Sequence, residues 1–101
     1  MAGGFDDAVA VLRGWAGEHV VVRLQPDDAV MRGRLRELEQ PGLDGAAFAL
    51  ADERAGVPPT GVAIALFRDA ARTVHADAGT LVVEQGRVRI TVWRGEQERG
   101  R

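Results

Sequence analysis

Val30-Met31-Arg32-Gly33-Arg34-Leu35-Arg36-Glu37-Leu38 is the stretch that decides the fold. Met31, Gly33 and Leu35 alternate with Arg32, Arg34 and Arg36, and a period of two marks a strand whose two faces meet different surroundings. Gly33 inside that strand predicts a sharp bend or a bulge. Bends let a few strands curl onto themselves, so a small barrel is expected rather than a flat layer.

Working toward the N-terminus, Val20, Val22 and Leu24 share one strand face, and His19, Val21 and Arg23 share the other. Gln25-Pro26-Asp27-Asp28 joins the two strands as a turn. Earlier still, Phe5, Ala8, Val9, Leu12, Trp15 and Ala16 recur at helical spacing and predict a helix over 5–16. Asp6 and Asp7 fall in its first turn, where carboxylates favour the positive end of the helix dipole, and Gly17 is a natural stop.

Toward the C-terminus, Gln40-Pro41-Gly42-Leu43-Asp44-Gly45 reads as a loop. A strand from Ala46 to Ala51 follows, with Phe48 and Leu50 on one face and only alanines on the other. Glu53 to Gly61, which holds Pro58-Pro59, is an exposed loop. Val62 to Phe67 is an unbroken apolar run and reads as a strand covered on both sides. Arg68-Asp69-Ala70-Ala71 makes a bend, Arg72 to Ala76 a short strand, and Asp77-Ala78-Gly79 a turn. Thr80 to Glu84 and Arg87 to Trp93 then form a hairpin about Gln85-Gly86, where a bulge at Gly86 would shift the register by one. The chain is thus expected to be mainly β and one domain over 1–93: helix 5–16, a strongly bent five-stranded barrel over 18–76, and an extra hairpin over 80–93. Residues 94–101 form a charged tail.

Composition narrows the chemistry. The 101 residues contain no Ser, Cys, Lys, Asn or Tyr, which removes most nucleophiles, Schiff-base amines and phenolic acids. Without Lys there is no phosphate-cradling loop ending in Gly-Lys, and without Cys there is neither a disulfide nor a thiolate metal site. His75 and Asp77 supply two metal ligands where a structural zinc needs about four. No cofactor and no metal are therefore expected. The acid pairs Asp6-Asp7 and Asp27-Asp28 read as helix-dipole and turn chemistry rather than a catalytic dyad. An enzyme would need His75, Asp69 and Asp77 to converge in a cavity. The net charge of −2 argues against sequence-blind binding of nucleic acid over the whole surface, yet leaves room for a local basic patch. Residues 1–7 lack the basic and long apolar stretches of a secretory leader, and no run approaches the roughly 18 apolar residues of a membrane span. A cytoplasmic protein with no membrane association is expected.

The order of elements resembles the Sm-like family of small SH3-like barrels. The resemblance runs from Phe5 to Ala76. It rests on the short helix, on the valine-rich strand His19-Val20-Val21-Val22-Arg23-Leu24, and on Val30-Met31-Arg32-Gly33-Arg34-Leu35, with a hydrophobic residue three before the Gly and a Leu two after it. Ile64-Ala65-Leu66-Phe67-Arg68-Asp69 is similar to the family's second motif, where a hydrophobic strand runs into Arg-Gly. Asp69 replaces that Gly, and the chain has no Asn for the base-holding loop of RNA-binding members. The resemblance implies a barrel that assembles into a homo-oligomeric ring through its fourth and fifth strands.

Four sets of residues are candidates for function. Arg32, Arg34 and Arg36 form an anion-binding stripe, or else a solvated face salted against Glu37, Glu39 or Glu84. Arg87, Arg89, Thr91 and Trp93 repeat the theme: a surface that stacks bases and holds phosphates, or a Trp covering an apolar edge with a polar rim. Arg68 and Asp69 stand where the family resemblance places ligand contacts; otherwise they are a charge pair closing a bend. Val62, Ala63, Ala65 and Phe67 are candidates for a subunit interface, unless the helix or the hairpin covers them. The expected function is a non-enzymatic binding and assembly module, an oligomeric Sm-like protein binding RNA. The alternative is a protein-interaction or structural module without nucleic acid.

Overall fold

Alternating patterns become strands wherever the sequence has them. The computed structural model describes residues 3–39, 42, 44–51 and 62–95. Among these, one helix, α1 (Phe5–Gly14), precedes seven strands: β1 (His19–Gln25), β2 (Ala29–Leu38), β3 (Gly45–Ala51), β4 (Ile64–Phe67), β5 (Arg72–Ala76), β6 (Thr80–Gln85) and β7 (Val88–Arg94). The strands form a single antiparallel sheet in the order β4-β3-β2-β1-β7-β6-β5.

That order forces the sheet to roll. β4 and β5 are its two outermost strands, yet only residues 68–71 separate them in the chain. Such a link reaches at most about 18 Å, whereas seven strands laid flat would hold their outer members about 29 Å apart. The strand faces turned inward carry Val20, Val22, Leu35, Phe48, Ile64, Leu66, Leu81, Val83 and Val92, all buried. Each such side chain stabilises the fold by roughly 1.5–3 kcal/mol. α1 packs against β5, β4 and β6, placing Phe5, Ala8, Val9, Leu12 and Trp15 in the same core cluster and filling the space beside the two outer strands. Gly4 N donates to Asp7 Oδ2 at 3.1 Å and ties down the start of the helix.

Side chain and arm, rather than a further ladder, meet the outer strand edges. Gln85 Nε2 donates to Ala65 O at 2.8 Å, and Gln85 Oε1 accepts from Phe67 N at 2.7 Å. One side-chain amide thus satisfies the two backbone groups that flank Leu66, as a residue of a neighbouring parallel strand would. On β5, Gly3 exchanges backbone hydrogen bonds with Thr73 at 2.9 and 2.8 Å, and the buried Thr73 hydroxyl donates to Gly4 O at 2.9 Å.

Several expectations change. The domain is mainly β behind a short N-terminal helix, but the five-stranded barrel with an extra hairpin is replaced by one seven-stranded sheet that does not close. β5 does not complete a barrel; β7 takes the free edge of β1, from Val20↔Arg94 to Gln25↔Arg89, and the hairpin is integral to the sheet. The tight turn at Asp77 commits β5 to β6, and the tight turn at Gly86 commits β6 to β7, leaving β7 as the strand available to β1. The helix ends at Gly14 rather than 16, and Arg94 belongs to β7 rather than to a tail. Gly33 carries no bulge: the register runs unbroken through Val20↔Gly33. Its Cβ would instead stand 2.7 Å from Ala51 O and 3.0 Å from Leu50 Cβ, so glycine is required by the close approach of β3. Nor does Gly86 shift the register, which is continuous from Thr80↔Trp93 to Gln85↔Val88. Gly86, at φ 63°, opens a two-residue turn. The register shift falls between Thr73 and His75. The run 62–67 is not covered on both sides, because Ile64 and Leu66 are buried while Val62 and Phe67 are each 45 % exposed. The loop expected at 53–61, most of the charged tail, and Gln40, Pro41 and Leu43 of the loop at 40–45 lie outside the described residues.

Candidate nucleic-acid interface

With the inner face filled by apolar side chains, polar chemistry is confined to the outer face, the turns and the sheet ends. The register assembles the outer face row by row. Arg32 stands opposite Val21, Val21 opposite Trp93, and Trp93 opposite Thr80. The next row runs Val30, Arg23, Thr91, Val82, and the one beyond it Gln25, Arg89, Glu84. To the other side lie Arg34 beside His19 and Arg36 beside Ala49. The two arginine stripes therefore share one surface, separated only by β1. Val21 between them is 3 % exposed and stands outside the core cluster, so it forms an apolar floor on the outer side of the sheet.

Ion pairing sorts the arginines. Arg23 is held by Asp28 at 2.6 Å. Arg89 is held by Glu84 at 2.5 Å, and Arg72 reaches the same carboxylate at 3.3 Å. The hydrogen bond from Arg89, aided by Arg72, keeps the Glu84 carboxyl below its ordinary value. Arg34 donates to Gly17 O. Glu37, a predicted counter-charge for the β2 stripe, is taken instead by Arg13 of α1 through bonds of 3.0 and 2.9 Å. Arg32 and Arg36 are exposed and make no ion pair among the described residues. Trp93 is half-buried and stands opposite Val21.

Arg68 and Asp69 lie elsewhere, after β4. Arg68 Nε sits 3.0 Å from Asp44 Oδ1, its Nη1 is 3.8 Å from Asp6, and its guanidinium stacks 4.7 Å from the centre of the Phe5 ring. Three partners from two other elements make it a brace between the β4 end, the β3 approach and α1. Asp69 is exposed beside it, and Arg87 is exposed in the β6–β7 turn. Val62, Ala63, Ala65 and Phe67 lie on or just before β4, whose edge groups at Ala65 O and Phe67 N are occupied by Gln85.

His75 and Asp77 bond at 2.8 Å, but Asp77 is committed to its own turn, accepting from Gly79 N at 2.9 Å and Thr80 N at 2.8 Å. The Gly79 bond first, then the His75 bond and the Thr80 bond, hold the Asp77 carboxyl below its ordinary value. Among the described residues no three His, Asp or Glu side chains converge on a point that would hold a metal ion. A shallow cavity of about 250 Å³ is lined by Gly3, Arg72, Thr73, Val74 and Glu84, whose two charged members pair with one another. No helix among the described residues is long and apolar enough to cross a membrane.

Sequence reasoning missed Gln85 and Gly3, the residues that meet the outer strand edges. Neither carries a signal, since Gln before Gly in a hairpin reads as a turn and a glycine pair before a helix reads only as a flexible lead-in. Comparison with family models, curated proteins and solved structures finds no match to this chain.

Proposed function

We propose that the protein is a non-enzymatic binding module that holds a polyanion, RNA, on the outer face of its rolled sheet. One observation carries the reading: β7 pairs with β1, so that Arg32 and Trp93 flank Val21 and the two stripes become one surface. Arg32 and Arg36 keep their guanidinium donors for phosphate oxygens, which they bind in forked, charge-assisted pairs. Arg23 and Arg89 are neutralised in place by Asp28 and Glu84, and Arg34 is tied to Gly17 O. Glu37 is taken by Arg13 of α1, and Glu84 is shared by Arg72 and Arg89, so neither reaches Arg32 or Arg36. A chain with net charge −2 binds only where charge is concentrated, which confines the ligand to this face.

The rolled sheet stands in this reading as an elaborated relative of the small Sm-like barrel. Ring assembly through β4 has a specific obstacle, because a neighbouring strand would have to displace Gln85 from Ala65 and Phe67. A second reading, a protein-interaction module, draws on the exposed Val62 and Phe67.

Fluorescence anisotropy with labelled RNA across a salt series tests the proposal. Affinity is expected to fall with salt with a log–log slope of about −1.4 to −2, corresponding to two or three phosphates on a single strand. Arg32→Glu with Arg36→Glu should abolish binding, and Arg68→Ala should leave it unchanged. Salt-independent binding, or loss of binding in Arg68→Ala with the protein still folded, would overturn the assignment.

A further inference from the structure

We infer that the outer edge of β5 docks the carboxyl end of an extended peptide from a partner, and that the Gly3 arm is an internal stand-in for that peptide. The site is separate from the face of β1, β2 and β7 and does not depend on the polyanion reading. The edge already accepts an extended backbone. Gly3 pairs antiparallel with Thr73 through bonds of 2.9 and 2.8 Å, and the buried Thr73 hydroxyl donates to Gly4 O at 2.9 Å. The pairing is an isolated bridge of a single residue pair, because the chain enters α1 at Phe5. Among the described residues nothing pairs with β5 on this side beyond Thr73. Main-chain pairing at such an outer strand is one way in which sheets recruit extended peptides.

Direction and charge define the ligand. A peptide in the register of Gly3 runs antiparallel to β5 and proceeds toward Arg72, where α1 closes the edge. It must end there, and the group that ends it is a carboxylate. Glu84 is held by Arg89 at 2.5 Å and by Arg72 at 3.3 Å, so one carboxylate serves two guanidiniums and the trio carries a surplus positive charge. Arg72 is the looser partner, with its side chain 74 % exposed, and turns its fork to an incoming carboxylate with little loss. Beside it, the cavity of about 250 Å³ lined by Gly3, Arg72, Thr73, Val74 and Glu84 has room for a small apolar side chain against Val74, which is 40 % exposed. The register break between Thr73 and His75 bends the edge and limits docking to about two or three residues of the peptide.

The test is fluorescence anisotropy of the full chain with a short peptide alternating Thr and Val, labelled at its N-terminus and ending in either a free carboxylate or an amide. The free acid is expected to bind about tenfold more tightly than the amide, and Arg72→Gln to erase that preference. Gly3→Pro removes the N–H that bonds Thr73 O and sets a Cβ against Asp7 Oδ2, so it lifts the arm from the edge. With the stand-in displaced, the free acid should bind severalfold more tightly. Should Gly3→Pro fail to fold, the amide control and Arg72→Gln still decide. Equal affinity for acid and amide, a preference that survives in Arg72→Gln, or no binding of the free acid to the wild-type chain and Gly3→Pro alike would overturn the inference. Concentration-dependent self-association that the peptide fails to compete away would assign the edge to a second copy of the chain and overturn it too.

Discussion

Gly33 shows how a residue's role differs from its usual reading. A glycine in an alternating strand points to a bulge, yet here the ladder continues and the missing Cβ makes room for the β3 backbone. Gly33→Ala is expected to destabilise the fold by about 1–3 kcal/mol, as over-packing does, measured by chemical denaturation. An unchanged midpoint would mean that β3 can move away freely. Gln85→Ala removes two hydrogen bonds from the β4 edge and should cost about 1–3 kcal/mol. It also uncovers Ala65 O and Phe67 N, so concentration-dependent self-association, read by sedimentation, should appear in the variant. The arginine stripes were legible from period two alone. The engagement of Arg68 was not, because Asp44 and Asp6 are remote in sequence and a turn arginine gives no sign of its partners.

At the scale of elements, the helix and seven strands were all visible in the sequence, since alternation and turn residues are local signals. Boundaries moved where tertiary contact decides them: α1 stops at Gly14, and β4 begins at Ile64 rather than Val62. The β5–β6–β7 meander carries the acid sensitivity of the fold. Asp77 anchors the turn into β6, and Glu84 joins β5, β6 and β7 through Arg72 and Arg89. Both carboxyls titrate below their ordinary values in the folded state. Their contribution is therefore complete above the unfolded-state value and is lost as pH falls through the folded one. Melting temperature should be flat near neutrality and decline as pH descends into and below the ordinary carboxylate range. Asp77→Asn keeps an acceptor oxygen but cannot titrate, so it should shrink that decline. A decline unaltered in this variant would assign the acid sensitivity to other groups.

For the whole molecule, the sequence could not supply the strand order. Several strands carry the same apolar alternation and would satisfy β1 equally well, and its actual neighbour β7 lies far along the chain. Only the two tight turns that bind β5, β6 and β7 into a meander settle which strand remains. This one choice replaces the five-stranded barrel with a rolled seven-stranded sheet and merges two separate stripes into one face. The functional account depends on that choice, and an amide chemical-shift titration of isotope-labelled protein with single-stranded RNA tests it most directly. The predicted result is a set of shifts centred on Arg32, Val21 and Trp93 and extending to Arg36. Shifts centred on Arg68, Asp69 and β4, with the outer face of β1, β2 and β7 silent, would contradict it.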